Sequence, residues 1–158
     1  MYYDVAQVCL NGHVINADSK SAPAANKTYC DKCGSKSIIQ CPDCASPIRG
    51  QAHYEGIFDF GTYELPSYCD SCGHPFPWTT AIQEAAFELI EFSELDNADK
   101  EDFKDSVNNL MQNTPNTSLA ILKFKKYAGK AGMAVGMALK DILVDVVSEA
   151  VKKTVWPS

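Results

Sequence analysis

Two regimes of hydrophobic spacing divide the chain near Trp78. Before it, apolar residues come in short runs between polar stretches: Tyr2, Val5 and Val8, then Val14-Ile15, then Ile38-Ile39. The first of these runs predicts a short strand leading into Cys9, Val14-Ile15 an apolar return from the loop, and Ile38-Ile39 apolar packing. Asn11-Gly12 is a turn dipeptide between the first two runs, and residues 16–27 are polar enough to predict a surface loop. Gln51 to Pro66 mixes aromatic and β-branched residues (Tyr54, Ile57, Phe58, Phe60, Thr62, Tyr63) broken by Gly56 and Gly61, which predicts short strands and a hairpin. Pro75-Phe76-Pro77-Trp78 predicts a non-helical close to this region.

From Thr79 onward the apolar residues recur at helical spacing. Thr80 and Gln83 fit a capping box, with Ile82, Ala86 and Leu89 on one face behind it. A second helix is expected after Asn97, burying Phe103, Val107, Leu110 and Met111. Thr114-Pro115 reads as a third start, a capping threonine with proline at the first helical position. A single helix from there to Trp156 is too long for an ordinary domain, so a break is expected near Ala128-Gly129. The predicted helices cover about 80–93, 98–112, 115–127 and 129–154. The fold class is therefore α+β: a small β-rich unit over residues 1–78, then an all-α hairpin or bundle over residues 79–158.

One helical stripe is unusual. Gly129, Gly132, Gly136, Leu139, Leu143, Val146 and Ala150 follow each other at steps of three and four. Glycine inside a helix costs about 1 kcal/mol against alanine, so this stripe predicts close approach of another backbone. Packing within the chain is the ordinary explanation and self-association the alternative. Lys130, Lys140, Asp141 and Asp145 weigh against insertion into a bilayer.

Charge narrows the function classes. The chain carries a net charge of −6 at pH 7 and one arginine, Arg49, which argues against a phosphate-binding surface for nucleic acid. Acids fill residues 84–105, from Glu84 to Asp105, with only Lys100 and Lys104 between them; residues 106–140 hold lysines and no acid. Such opposed blocks can dock antiparallel, within one chain or between two. The start, Met-Tyr-Tyr-Asp-Val, lacks the basic, apolar and small-residue pattern of a secretory signal, and no run of about 18 apolar residues spans a bilayer. A reducing cytoplasm is the expected location, and thiols there coordinate metal instead of pairing.

The candidate chemistry lies in the first unit. All seven cysteines fall between Cys9 and Cys72, six of them as the Cys-x-x-Cys pairs Cys30/Cys33, Cys41/Cys44 and Cys69/Cys72. The seventh opens Cys9-Leu10-Asn11-Gly12-His13, where the histidine supplies an eighth donor. Eight soft donors close two tetrahedral zinc sites, with iron as an alternative at an all-cysteine site. Tyr29-Cys30-Asp31-Lys32-Cys33-Gly34 and Tyr68-Cys69-Asp70-Ser71-Cys72-Gly73 repeat one rubredoxin-like knuckle. The repeat favours sequential sets, Cys9/His13/Cys30/Cys33 and Cys41/Cys44/Cys69/Cys72, over a cross-braced pairing. Pro75 to Trp78 is expected to pack against the second set. His53 and His74 are left over, as surface residues or substitutes for His13. Nothing resembles a nucleophile elbow, a phosphate-binding glycine loop or a His-Glu-x-x-His helix.

The runs Cys-Leu-Asn-Gly-His-Val, Cys-Asp-Lys-Cys-Gly, Cys-Pro-Asp-Cys-Ala-Ser-Pro-Ile-Arg-Gly and Tyr-Cys-Asp-Ser-Cys-Gly-His-Pro-Phe-Pro-Trp-Thr resemble an uncharacterised bacterial double zinc-ribbon family, a domain of unknown function. The resemblance covers about the first 80 residues. It implies a bacterial cytosolic origin and sequential pairing of the ligands, and it implies no reaction. The expected function is a non-catalytic zinc-binding interaction or regulatory protein. Tyr54, Ile57, Phe58 and Phe60 are its candidate contacts, and Gly129, Gly132 and Gly136 mark a helical packing or self-association face. Nucleic-acid binding and peripheral membrane activity through the glycine-containing helix are the rival expectations.

Overall fold

The computed structural model describes residues 1–58 and 61–157, and the chain divides into two compact units, Met1–Thr80 and Ala81–Ser158. The first unit is built from short strands: β1 (Tyr2–Val5), β2 (Gln7–Cys9), β3 (Val14–Asn16), β4 (Ser37–Ile38) and β5 (Arg49–His53). The expected leading strand is thus two, β1 and β2, separated at Ala6. β2 is the centre of a three-stranded antiparallel sheet in the order β3-β2-β4, and β1 pairs antiparallel with β5. The hairpin expected over 51–66 is replaced by this long-range pairing. Among the described residues of that stretch only the Tyr54–Ile57 bridge closes a turn. Residues 61–66 form no strand, and Phe60 lies outside the described residues.

The apolar core of this unit is small: Ala6, Val8, Ile48, Phe76 and Trp78 pack with Cys41 and Cys69. A buried polar clasp ties β1 to the loop at residues 20 and 21. The Asp4 carboxylate accepts from the Val5 amide (2.6 Å), the Lys20 amide (3.0 Å), the Ser21 amide (3.2 Å) and the Ser21 hydroxyl (2.6 Å). Burial alone would raise the Asp4 pKa, but the Ser21 hydroxyl and these amides bring it below the ordinary carboxylate value.

Among the described residues the helices that follow are α1 (Pro77–Phe92), α2 (Asn97–Gln112), α3 (Thr117–Ala131), α4 (Met133–Leu143) and α5 (Glu149–Val155). α1 starts at Pro77, not at the expected Thr80 box. Proline is favoured at a first helical position, where its missing N–H has no intrahelical acceptor to lose. Gln83 instead reaches across to the Asn108 side chain. Asp96 caps α2, accepting from the Asp99 amide at 2.8 Å, and the expected stripe Phe103, Val107, Leu110 and Met111 is buried. Thr114-Pro115 forms a turn before α3 and does not begin it; Asn116 holds the cap position.

The opposed charge blocks dock within the chain. Lys123 pairs with Asp102 (2.9 Å) and Lys130 with Asp99 (2.7 Å), so α2 and α3 run antiparallel. Tyr127 donates to the second Asp102 oxygen at 2.5 Å. The break expected at Ala128-Gly129 falls instead at Gly132, whose φ of +101° ends α3 and begins α4. A further break, unforeseen in the sequence, separates α4 from α5, where the Ser148 hydroxyl caps the Val151 amide at 3.3 Å. The core of this unit buries Ile90, Phe103, Leu110, Phe124, Leu139 and Leu143, with Phe103 edge-on to Phe124 at 5.4 Å between ring centres.

Candidate metal centre

Each Cys-x-x-Cys sits in the same tight turn. In the first, the Gly34 amide donates to the Cys30 carbonyl (2.8 Å) and the Cys30 amide to the Ser35 carbonyl (2.8 Å). Cys41/Ala45/Ser46 and Cys69/Gly73/His74 repeat both bonds at 2.8–2.9 Å. The residue after the second cysteine takes a left-handed conformation each time: Gly34 at φ +75°, Ala45 at +63°, Gly73 at +78°. This curl turns amides toward sulfur: Lys32 N lies 3.4 Å from Cys30 Sγ and Ser71 N 3.4 Å from Cys69 Sγ.

The Cys9 loop is a variant of the same device. Gly12 N donates to the Cys9 carbonyl (2.9 Å) and His13 N approaches Cys9 Sγ (3.3 Å). Gly12 has φ +91°, and a Cβ placed there would stand 2.8 Å from Trp78 Cβ. Trp78 is fixed in turn: its ring stacks on Phe76 at 4.7 Å and its Nε1 donates to the Pro66 carbonyl at 3.0 Å. The Pro75–Trp78 segment was expected to pack against the second set, and Trp78 also covers the loop of the first.

The eight donors gather as two groups, Cys9/His13/Cys30/Cys33 and Cys41/Cys44/Cys69/Cys72, with the ligand atoms of each within 4.8 Å of one another. Donors about 2.3 Å from a central ion at tetrahedral corners lie about 3.8 Å apart, slightly less where nitrogen replaces sulfur. Here Cys41 and Cys72 Sγ are 3.8 Å apart, Cys44 and Cys69 3.6 Å, and Cys9 and Cys33 3.6 Å. His13 Nδ1 stands 3.4 Å from Cys9 Sγ and 3.6 Å from Cys30 Sγ. A disulfide would bring sulfurs to about 2.05 Å, so the spacing matches the edges of a tetrahedral coordination polyhedron and not a disulfide.

The electrostatics fit a central cation. The Ser35 hydroxyl, the Asn11 side chain and the Ser35 amide hold the Cys33 thiol down to about 5; the Ser46 hydroxyl and amide hold Cys44 to about 6. For Cys72 the His74 amide pulls down, yet burial and the neighbouring sulfurs of Cys44, Cys69 and Cys41 push it up to about 12. Burial likewise raises Cys9. Thiolates crowded at this spacing repel, and a dication among them removes that penalty and lets all deprotonate. Both donor sets can therefore hold a metal ion.

Several supporting residues escaped sequence reasoning. Asn11 donates to Cys33 Sγ (3.3 Å) and Ser35 Oγ (2.9 Å), beyond its role in the turn. Ser35 and Ser46 both stand two places after a second cysteine, a repeated signal that could have revealed them. His53 and His74 join neither set. His53 Nε2 bonds Asp18 at 2.7 Å and His74 Nδ1 lies 3.4 Å from Asp43. Asp4, Asp18 and His53 also cluster, but the Asp4 oxygens already accept the four hydrogen bonds of the clasp.

The other named residues are scattered by function. Tyr54, Ile57 and Phe58 are exposed, Phe58 at 86%. Gly129 and Gly136 lie inside α3 and α4, and a Cβ at Gly129 or Gly132 meets nothing within 4 Å. The close backbone approach expected for these glycines is therefore absent at Gly129 and Gly132, whereas a Cβ at Gly136 would rest 3.9 Å from the Ala128 carbonyl oxygen, an ordinary packing contact with α3. No helix among the described residues is long and apolar enough to cross a membrane.

No curated protein and no solved structure matches the chain. A family model described as an uncharacterized protein conserved in bacteria (DUF2321) matches residues 2–155, which takes in both donor sets and the helices. The chain belongs to this family.

Proposed function

We propose that the chain is a cytoplasmic, non-catalytic interaction protein. Its first unit is folded around two zinc ions, and its helical unit serves self-association. The spacing of donors in both sets, 3.4–3.8 Å, carries this reading. Four protein donors at tetrahedral corners leave no position for a water or a substrate, which metal-assisted hydrolysis requires. The ions then act on folding. Structural zinc contributes about 10–16 kcal/mol in small fingers, enough to hold a unit with so few large aliphatic side chains. What such a unit can offer a partner is a rigid surface, and Tyr54, Ile57 and Phe58 form its exposed apolar candidate.

The test begins with metal analysis of the purified chain and the visible spectrum of its cobalt-substituted form. Two ions per chain with intense tetrahedral bands are expected. A content well under two, or the weak bands of a five-coordinate ion holding solvent, contradicts the closed-site reading. The second step compares partners captured by the wild type and by Ile57→Ser/Phe58→Ser at equal metal content. Identical capture by both removes the proposed surface.

A further inference from the structure

In the helical unit an open trough of about 630 Å³ runs between α3, α4 and the C-terminal segment. Gly129, Gly132 and Gly136 line it, together with Met133, Met137 and Trp156; its only charged lining residues are Lys125 and Lys140. Gly132 is explained by its backbone. Gly129 is an interior helical glycine where a Cβ would meet open space, and at Gly136, also interior, a Cβ would rest in ordinary contact 3.9 Å from the Ala128 carbonyl oxygen. Met133 is 81% exposed.

On another flank of α4 lies a second apolar surface. Ala85, Leu89, Phe92, Ala138 and Ile142 form it, and its charged residues are Glu88 and Asp141. Phe92 projects from its edge at 82% exposure. The two surfaces are complementary: apolar with cationic lining, and apolar with anionic lining and a projecting ring. Neither charge set is paired among the described residues. Lys100, Lys104, Lys123, Lys130 and Lys152 all have carboxylate partners, whereas Lys125, Lys140, Glu88 and Asp141 have none among the described residues.

We propose that the Lys125/Lys140 trough is the docking site for the Phe92 surface of a second copy of this chain. Phe92 would enter over the glycines, with Glu88 and Asp141 set against the lysines. Contact positions on α4 alternate around the helix, with 133, 136, 137 and 140 serving the trough and 138, 141 and 142 the other surface. The contact is thus heterologous: it propagates head to tail unless its rotation closes a ring. The inference rests on the self-association part of the proposed function and names its surfaces. It does not use Ile57 or Phe58, so changes there leave assembly mass unaltered and the two ideas fail separately.

The test is sedimentation equilibrium on the full metal-loaded chain. The wild-type mass should rise with concentration past twice the chain mass of 17.3 kDa. Reversing the trough charges (Lys125→Glu/Lys140→Glu) or the opposite pair (Glu88→Lys/Asp141→Lys) should weaken association by more than about tenfold. All four side chains are exposed, so folding is preserved. An equimolar mixture of the two variants offers one native contact and one charge-swapped contact, so it should assemble in alternation while each variant alone stays dissociated. A chain carrying all four reversals should assemble again. Monomeric wild type at about 1 mM, where even weak complexes form, overturns the proposal. A mixture that stays monomeric also overturns it, as does a monomeric wild type that binds phosphatidylglycerol vesicles through Lys125 and Lys140.

Discussion

Replacing Gly12 by alanine isolates the coupling between the first donor loop and the aromatic pair beside it. Two costs add at this position. An L-residue held at φ +91° loses about 1–2 kcal/mol to the clash of its Cβ with the backbone. The new methyl also stands 2.8 Å from Trp78 Cβ and 3.2 Å from its Cγ. Those atoms are the root of a buried side chain, pinned by the Phe76 stack and the Pro66 hydrogen bond, and cannot swing aside. Overpacking of this kind costs about 1–3 kcal/mol, giving about 2–5 kcal/mol in all. Gly34 and Gly73 are the internal controls: their φ values are +75° and +78°, and a Cβ there meets nothing within 4 Å. Gly34→Ala and Gly73→Ala should lose only the backbone part, about 1–2 kcal/mol. The assay follows metal release to a chromogenic chelator as denaturant rises, so that only the first unit is read. If Gly12→Ala proves no worse than the two controls, the packing of Trp78 on the Cys9 loop is wrong.

Ala45 occupies in the second knuckle the left-handed position that glycine holds in the other two, so Ala45→Gly should stabilise by about 1 kcal/mol, seen as a later metal-release midpoint. His13→Ala removes a donor from one set only and should lower bound metal from two ions per chain to one, counted by elemental analysis. Asp102 lies below its ordinary value of 3.8, through the Tyr127 hydroxyl first and Lys123 next. A carboxyl whose pKa falls on folding stabilises above the unfolded value and loses that contribution as pH drops through the folded one. Between about pH 5 and about pH 2, the helix signal of wild type should therefore lose stability faster than that of Asp102→Asn; parallel curves would refute the assignment. Chelation at neutral pH should abolish the tertiary signals of the first unit while most of the helical circular dichroism remains.

The donor sets were legible because a metal site writes itself into the sequence. Each knuckle is a local turn, and its ligands recur at fixed spacing whatever the distant contacts are. α2 was legible for a related reason: Phe103, Val107, Leu110 and Met111 repeat at helical period on one buried face. Non-local choices were not legible. β5 could take a partner from its own segment or from residues 2–5, and the non-local ladder to β1, extended by the Ala6–Ile48 hydrogen bond (2.9 Å), decides for β1. The α4–α5 break has no glycine or proline to announce it; β-branched Val144, Val146 and Val147 precede a serine cap that is weak as a sequence signal. At Pro77 the residue was noticed but misjudged, as a stop where it serves as a start.

The first unit has another consequence of its ligand order. Residues 45–68 leave Cys44 and return at Cys69, whose sulfurs lie 3.6 Å apart. A loop of that length normally spends conformational entropy to bring its ends together. Here the second donor set closes it, while β5 pairs with β1 and the Tyr63 hydroxyl donates to the Arg49 carbonyl at 2.5 Å. Tyr54, Ile57 and Phe58 can then stand exposed without the apolar packing that would otherwise hold such a loop. The surface should accordingly depend on the second ion far more than on the first. A Cys44→Ser chain should lose any partner held by Phe58, whereas His13→Ala should keep it as long as the second ion stays bound. Equal loss in both variants would mean that the two donor sets fold as one unit and that neither clamps the loop alone.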